Sequence, residues 1–220
     1  MTPNKEDYLK VIYEISTGAG KITNKEIAQR MAVSPPAVTE MMKKLLAEEL
    51  LIKDKAKGYV LTHRGLLLTS DLYRKHRLIE VFLVNHLGYT TDEIHEEAEV
   101  LEHTVSERFV QGLEKMLHYP TTCPHGGTIP PKGQILVEAY QETLTHLKNS
   151  GSYRLVRVHD DFELLRYLEQ HQLQIGDTIE LLEYDPFAQI YHIKHQDKEL
   201  QISPSVAQHL YIEKQSPFSS

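Results

Sequence analysis

The chain has 220 residues, 40% of them hydrophobic, and lacks the apolar run of about 18 residues that a spanning helix needs, so a sizeable core in one to three domains is expected and a membrane span is not. A single cysteine, Cys123, excludes an intramolecular disulfide, and the opening MTPNKEDYLK has no apolar signal region, so a cytoplasmic protein with no membrane partner is expected. The net charge of −7 is unevenly divided: residues 1–75 carry 13 Lys/Arg against 9 Asp/Glu (+4), and residues 76–220 carry 11 against 22 (−11), which suits an anionic partner at one end and cations at the other.

Thr2-Pro3 followed by Glu6 and Asp7 reads as a helix start, with a capping hydroxyl, proline in the first turn and acids at the positive end of the dipole. Tyr8, Val11, Ile12 and Ile15 mark its buried face, and Gly18 and Gly20 its end. Asp7 lies at the margin of that face, where the residues alone favour a dipole-compensating acid. TNKEIAQRMA predicts a second helix capped by Thr23, with Glu26 completing a capping box. Ser34 caps a third helix with Pro35 at its first position and Val38, Met41, Met42 and Leu45 on its inner face. Two short helices joined by a tight turn form a helix-turn-helix, which presents its second helix to the major groove.

LLIKDKAKGYVLT then reads as a β-hairpin wing around a Lys-rich turn with Gly58. Helix-turn-helix plus basic wing points to double-stranded DNA. The exposed candidates are Ser34, Pro35, Pro36, Thr39, Glu40, Lys43 and Lys44. Lys43 and Lys44 suit phosphates, a proline ring suits a thymine methyl, and Glu40 suits a cytosine amine. The alternative is an ordinary solvated helix face.

RGLLLTSDLYRKHRLIEVFLVNHL predicts a long helix ending before Gly88. His76 and Glu80 lie at i, i+4 within its Leu72, Ile79 and Leu83 arc, so they either satisfy each other in the core or complete a cation site. Leu78, Val81, Phe82 and Val84 exceed what one face needs and suggest a dimer interface. A helix through His103 places His95, Glu99, Glu102 and His103 on one arc beside Ile94, Ala98, Leu101 and Val105. Carboxylates and imidazoles at the edge of a core need neutralising, and Glu-x-x-His is a metal-binding spacing in helical bundles, so a divalent cation is expected on this stripe. SERFVQGLEKML predicts a further helix.

YPTTCPHGGTIPPKG is a loop in which Cys123 and His125 present two metal-compatible donors, or a buried thiol beside a surface histidine. Residues 132–148 are expected to be helical, followed by a linker near 148–152. Strands YRLVRVH, DTIELLEY, IYHIKH and ELQIS, with a helix over DDFELLRYLEQH, suggest a small β-barrel. Asp160 and Asp161 stand at the strand-to-helix junction, where an acid caps the helix or reaches another domain.

Together MTPNKEDYLK, ITNKEIAQRMAVSPPAVTEMMKKL, LYRKHRLIEVFLV, HEEAEVLEH and CPHGGTIP resemble the diphtheria toxin repressor family of metal-dependent bacterial repressors, nearest its three-domain manganese-responsive branch. The resemblance covers essentially the whole chain. It implies a mainly α protein with a small β domain: a winged-helix DNA-binding domain (1–63), a helical metal-binding and dimerisation domain (64–148) and an SH3-like domain (149–220). It implies one metal site at Asp7, Glu99, Glu102 and His103, and a second at Glu80, Cys123, His125 and Asp160 with His76 close to both. His95 aligns with an ancillary ligand of some relatives. Ser34, Pro36 and Glu40 fall where relatives touch DNA. Oxygen-rich ligation favours Mn²⁺, while Cys123 admits Fe²⁺ or Zn²⁺. Lys10 stands where some manganese sensors carry a second carboxylate.

The expected function is a homodimeric, metal-activated repressor of metal-uptake genes that binds an inverted-repeat operator and takes no small-molecule substrate. One rival is a metal-independent winged-helix regulator whose acidic stripe is merely solvated or salt-bridged. Another is a hydrolase using His95-Glu96-x-x-Glu99, in which Glu99 occupies the second histidine's place.

Overall fold

The computed structural model describes residues 4–18, 20–91, 93–147 and 149–215. The chain divides into two units, Met1–Lys75 with Pro130–Leu136 and His76–Ile129 with Val137–Ser220.

In the first unit, α1 spans Lys5–Ser16. The expected Thr2-Pro3 start lies outside the described residues, and the cap is Asn4. Its side chain accepts from the Glu6 and Asp7 N–H groups at 2.7 and 3.2 Å, and the Asp7 carboxylate accepts from the Asn4 N–H at 2.6 Å. α2 (Asn24–Arg30) and α3 (Pro35–Ala47) are capped by Thr23 and Ser34 as the sequence predicts; Thr23 accepts from the Glu26 N–H. β1 (Leu51–Asp54) and β2 (Gly58–Leu61) form the hairpin, with Leu51 opposite Leu61.

Gly58 sits at φ 82°, and a Cβ there would lie 2.0 Å from the Ile22 carbonyl oxygen. Ile22 donates its N–H to the Lys57 carbonyl at 2.9 Å, so the wing is pinned to the α1–α2 linker and only glycine permits the approach. Tyr8, Leu9, Ile12, Ile27, Val38, Met42, Leu45 and Leu50 form the core of this unit. Each such side chain, fully buried, stabilises the fold by roughly 1.5–3 kcal/mol.

α4 (His63–Phe82) continues as a wider π turn over Leu83–Leu87 and ends at Gly88, which is left-handed at φ 73°. In the second unit, α5 (Ile94–Leu101) and α6 (Glu107–Met116) follow. Leu78 and Val81 are not spare surface as expected: they pack with Val110, Cys123 and Ile129 inside the protomer, because α4 there is enclosed by α6 and the loop after it. Exposed apolar side chains in this region are Leu87, Val100, Phe109 and Met116.

The helix expected over 132–148 is absent among the described residues, where only Leu144–His146 makes a short 3-10 turn. The apolar spacing misleads because the backbone bonds of this segment run outward. Leu136 donates to the Ser70 hydroxyl, Ala139 to the Thr128 hydroxyl, and the Glu142 carbonyl accepts from Ile212.

β3 (Gly151–Val158), β4 (Thr178–Asp185), β5 (Ile190–His195), β6 (Lys198–Ile202) and β7 (Leu210–Lys214) form an antiparallel sheet in the order β6-β5-β4-β3-β7. α7 (Phe162–Gln170) and the single turn α8 (Pro204–Ala207) are inserted, and Leu155, Leu165, Leu168, Ile179, Ile193, Ile202 and Ile212 fill the core. β7, which the sequence reading did not assign, pairs along β3. Asp161 caps α7 by accepting from the Leu164 N–H at 3.0 Å, leaving Asp160 to point elsewhere.

Candidate functional site

α4 carries His76 and Glu80 one turn apart on its buried face, 1% and 0% exposed, with His76 Nε2 3.2 Å from Glu80 Oε1. The Pro/Gly-rich loop brings His125 to the same carboxylate, Nδ1 to Oε1 3.2 Å. Gly126 makes the loop's close approach possible: it is left-handed at φ 77°, and a Cβ would lie 2.1 Å from the Val156 carbonyl oxygen. The His125 carbonyl accepts from the Val158 N–H at 3.0 Å, so the loop is fastened to β3 two residues before Asp160. Asp160 then reaches His76 Nε2 at 3.1 Å, His95 Nδ1 at 2.9 Å and His125 Nδ1 at 3.5 Å. Cys123 is buried beside them. Glu80, Cys123 and His125 each offer one donor atom within 4.8 Å of the others, and so do His76, Glu80, His95 and Asp160.

His125 Nε2 lies 2.9 Å from the Thr91 carbonyl, which can only accept, so Nε2 carries a proton and Nδ1 faces the carboxylates. Yet both Glu80 oxygens, His125 Nδ1, His95 Nδ1 and Asp160 Oδ1 are buried without hydrogen-bond geometry to any partner among the described residues. Buried polar atoms left in this way are costly, and here they converge. A divalent cation bound by nitrogen, oxygen and sulfur donors fits that arrangement.

The electrostatics agree. Burial pushes the Glu80 carboxyl up, as does the Asp160 charge, but His76 and His125 overrule both and hold it at about 2. Burial pulls the His125 imidazole down, yet the neighbouring Cys123 and Glu80 and the carboxylate charges raise it to about 12. Burial pushes the Asp160 carboxyl up, but His76 and His95 hold it well below the usual carboxylate range. Burial and the Glu80 charge push the Cys123 thiol up. A proton on His125 thus does locally what a metal would do more strongly.

The stripe predicted on α5 divides. The helix ends at Leu101, so Glu102 and His103 belong to the turn beyond it. Glu102 is 2% exposed and its Oε2 stands 2.6 Å from His76 Nδ1, while His103 Nε2 is 3.4 Å from Glu102 Oε1. His95 turns toward Asp160, with its Nε2 4.0 Å from Glu99 Oε1. His76 therefore has one ring nitrogen at Glu102 and the other at Glu80 and Asp160. A fully solvated stripe does not describe these residues. Glu96, the base of the hydrolase alternative, is exposed. Asp7 belongs to the first unit, where it closes the α1 capping box.

On α3, Ser34, Pro35, Pro36, Glu40, Lys43 and Lys44 are exposed. Thr39 is half-buried: its hydroxyl donates to the Pro35 carbonyl and accepts from the Asn24 amide, both at 3.0 Å, which locks α3 onto α2. Lys43 Nζ lies 2.9 Å from Glu40 Oε1, so Lys43 holds the Glu40 carboxyl below its usual value and offsets its charge.

Three domain families match the chain in succession. Residues 1–59 match the iron dependent repressor N-terminal DNA binding domain, 62–131 the iron dependent repressor metal binding and dimerisation domain, and 142–214 the FeoA domain. The manganese regulator SloR superposes with a TM-score of 0.90 at 62% identity, covering 98% of this chain and 100% of that one. ScaR with bound Zn²⁺ gives 0.92 at 65% identity, covering 96% and 100%. In the Bacillus subtilis strain 168 regulator MntR, 118 residues are 34% identical, which is 54% of this chain and 82% of that protein.

The chain belongs to the diphtheria toxin repressor family. As a member of that family of metal-dependent transcriptional repressors, it is a DNA-binding regulator rather than an enzyme, with a winged helix, a helical dimerisation domain and an SH3-like sheet. No helix among the described residues is long and apolar enough to cross a membrane.

The family resemblance points to every donor around Glu80 and to His95 only as an ancillary ligand, whereas here His95 joins His76, Glu80 and Asp160. A signal for His95 was its place beside Ile94 and Ala98, both fully buried here. The ion pairs of Glu138 with Arg77 and Arg157 have no sequence signal, because nothing local marks partners so far apart in the chain.

Proposed function

We propose that the protein is a cytoplasmic, manganese-activated repressor that binds an inverted-repeat operator as a dimer and controls metal-uptake genes. The observation that supports it best is the buried Glu80 carboxylate, whose oxygens have no hydrogen bond of good geometry among the described residues while imidazole, thiol and carboxylate donors converge on them. Glu80, Cys123, His125 and Asp160 hold one ion, with His76 beside them. Glu99, Glu102 and His103 hold another, and Asp7 completes its shell. The domain bounds are 1–63, 64–148 and 149–220.

A bound cation supplies positive charge at clustered carboxylates, and this chain's residues convert that into a conformational bias. Without it Glu99 and Glu102 repel other acids; with it Asp7 and the recognition helix it precedes are held in one orientation. Dimeric helix-turn-helix readers need half-sites about 34 Å apart or a multiple of it, so a fixed orientation of α3 selects operators with inverted symmetry. There Ser34, Pro35, Pro36, Thr39 and Glu40 face base edges and Lys43 and Lys44 face phosphates. The dominance of oxygen donors on the α5 stripe favours Mn²⁺, and Cys123 leaves Fe²⁺ or Zn²⁺ open at the other cluster.

The test is an operator selected from random DNA in saturating Mn²⁺, then titrated with Mn²⁺, Fe²⁺ and Zn²⁺. Manganese-dependent binding, lost in Asp7→Ala, is expected. Binding that ignores metal contradicts the reading and restores the metal-independent regulator.

A further inference from the structure

Glu138 lies in the extended segment between the metal-binding region and the sheet, and no proposed ligand is near it in sequence. Its Oε1 is 2.7 Å from Arg77 Nη2 and 3.0 Å from Arg157 Nη1, and its Oε2 accepts from the Thr128 N–H at 3.0 Å. All three charged side chains are nearly enclosed, 11–14% exposed. Arg77 also donates to the Thr128 carbonyl, and the Arg157 guanidinium carbon lies 3.5 Å from the centroid of the Tyr211 ring. A Cβ at Gly127 would lie 2.7 Å from the Arg77 guanidinium carbon, so the loop carrying Cys123 and His125 is pressed against this triad.

Each partner of Glu138 is attached to a different part of the cluster. Arg77 is on α4 next to His76 and three residues before Glu80. Thr128 closes the loop of Cys123 and His125. Arg157 is on β3, three residues before Asp160. We propose that Glu138 is a positioning residue that clamps α4, this loop and β3 together and so sets Asp160 at its distance from Glu80 and His125.

The charges explain why a carboxylate is needed. Two guanidiniums share one anion, and without it they would be buried like charges on the two elements that must stay close. Burial pushes the Glu138 carboxyl up, but Arg77 and Arg157 overrule it and keep it ionised below its ordinary range. A purely local function would be met by either arginine alone.

The inference rests on the proposed metal cluster around Glu80, and the test separates the two. Co²⁺ is the probe, because Cys123 is the sole cysteine and a thiolate-to-cobalt charge-transfer band can come only from it. Wild-type protein should show the band and Cys123→Ser should not. Glu138→Gln should weaken Co²⁺ binding by about 10- to 100-fold, the range found when a group that orients a ligand is removed. In an Asp160→Ala background the same substitution should weaken it no further. Arg157→Gln serves as a second variant should Glu138→Gln fail to fold, with the same expected pattern. A wild-type titration curve from a folded variant overturns the positioning role alone. Equal weakening with and without Asp160 also overturns it, since a merely destabilised fold behaves that way. Absence of a Cys123-dependent band in wild type overturns the metal reading and this inference together.

Discussion

The two groups of candidate ligands in the second unit are built differently. Around Glu80, donors arrive from α4, from the loop of Cys123 and His125, from α5 through His95 and from the end of β3, and most are buried. Glu99, Glu102 and His103 come from the end of one helix and the turn after it, and Glu99 and His103 are only half-buried. A site whose parts converge through the fold is pre-organised and stabilises the unit that holds it. A site contributed by a single turn needs a donor from elsewhere, which suits a sensor that changes the arrangement of domains. His76, touching Glu102 with Nδ1 and Glu80 and Asp160 with Nε2, stands between the two.

The sharpest way to break this contrast is to remove one carboxylate from each group. Glu80→Ala is expected to abolish the Cys123-dependent Co²⁺ band, a loss of at least about 100-fold in affinity, exceeding that for a group that only orients a ligand. Glu99→Ala should leave that band within about twofold of wild type while abolishing Mn²⁺-dependent operator binding. Equal effects of both substitutions on the band would mean that the groups act as one site.

The next effect is the pH dependence of binding at the buried cluster. Cys123, Glu80 and Asp160 raise the His125 imidazole to about 12 in the metal-free protein, so ligation through Nδ1 must expel a proton. Co²⁺ affinity followed by the Cys123 band should rise about tenfold per pH unit for each proton expelled, so between pH 6 and 8 it climbs steeply. A flat profile would remove the proton-for-metal exchange.

A smaller effect concerns the metal-free fold. Glu80 is held at about 2 against an ordinary 4.5, so the unfolded state binds its proton first. Its contribution is complete above pH 4.5 and drains away as the pH falls toward 2. Urea midpoints of the metal-free protein should fall over that window, and Glu80→Gln should flatten the fall. Smaller still, Lys43→Ala or Lys44→Ala should lower the salt slope of operator binding by about 1 each without changing the preferred sequence.

Much of this was legible in the chain, and the reasons for the rest are physical. His76 and Glu80 announced themselves as ionisable groups inside an apolar arc, and Thr23, Ser34 and the Lys-rich turn at Gly58 follow local capping and turn chemistry. Asp160 needed the family resemblance, because a strand-to-helix junction gives no hint of what lies across from it. Residues 132–148 carried helical spacing but spend their backbone bonds on Ser70, Thr128 and β7, a tertiary choice that periodicity does not record. Glu138 was invisible for the same reason, since Arg77 and Arg157 stand 61 residues before it and 19 after. Asp7 has a complete local explanation in its capping box, so only the resemblance raised it to a ligand.

The central claim is that metal and operator bind to the same conformation. Isothermal titration of Mn²⁺ into the dimer, with and without saturating operator, tests it directly. The expected result is tighter Mn²⁺ binding in the presence of operator, by the same factor by which Mn²⁺ tightens operator binding, about 5- to 150-fold for ordinary allosteric coupling. Identical Mn²⁺ affinities in the two titrations would contradict it.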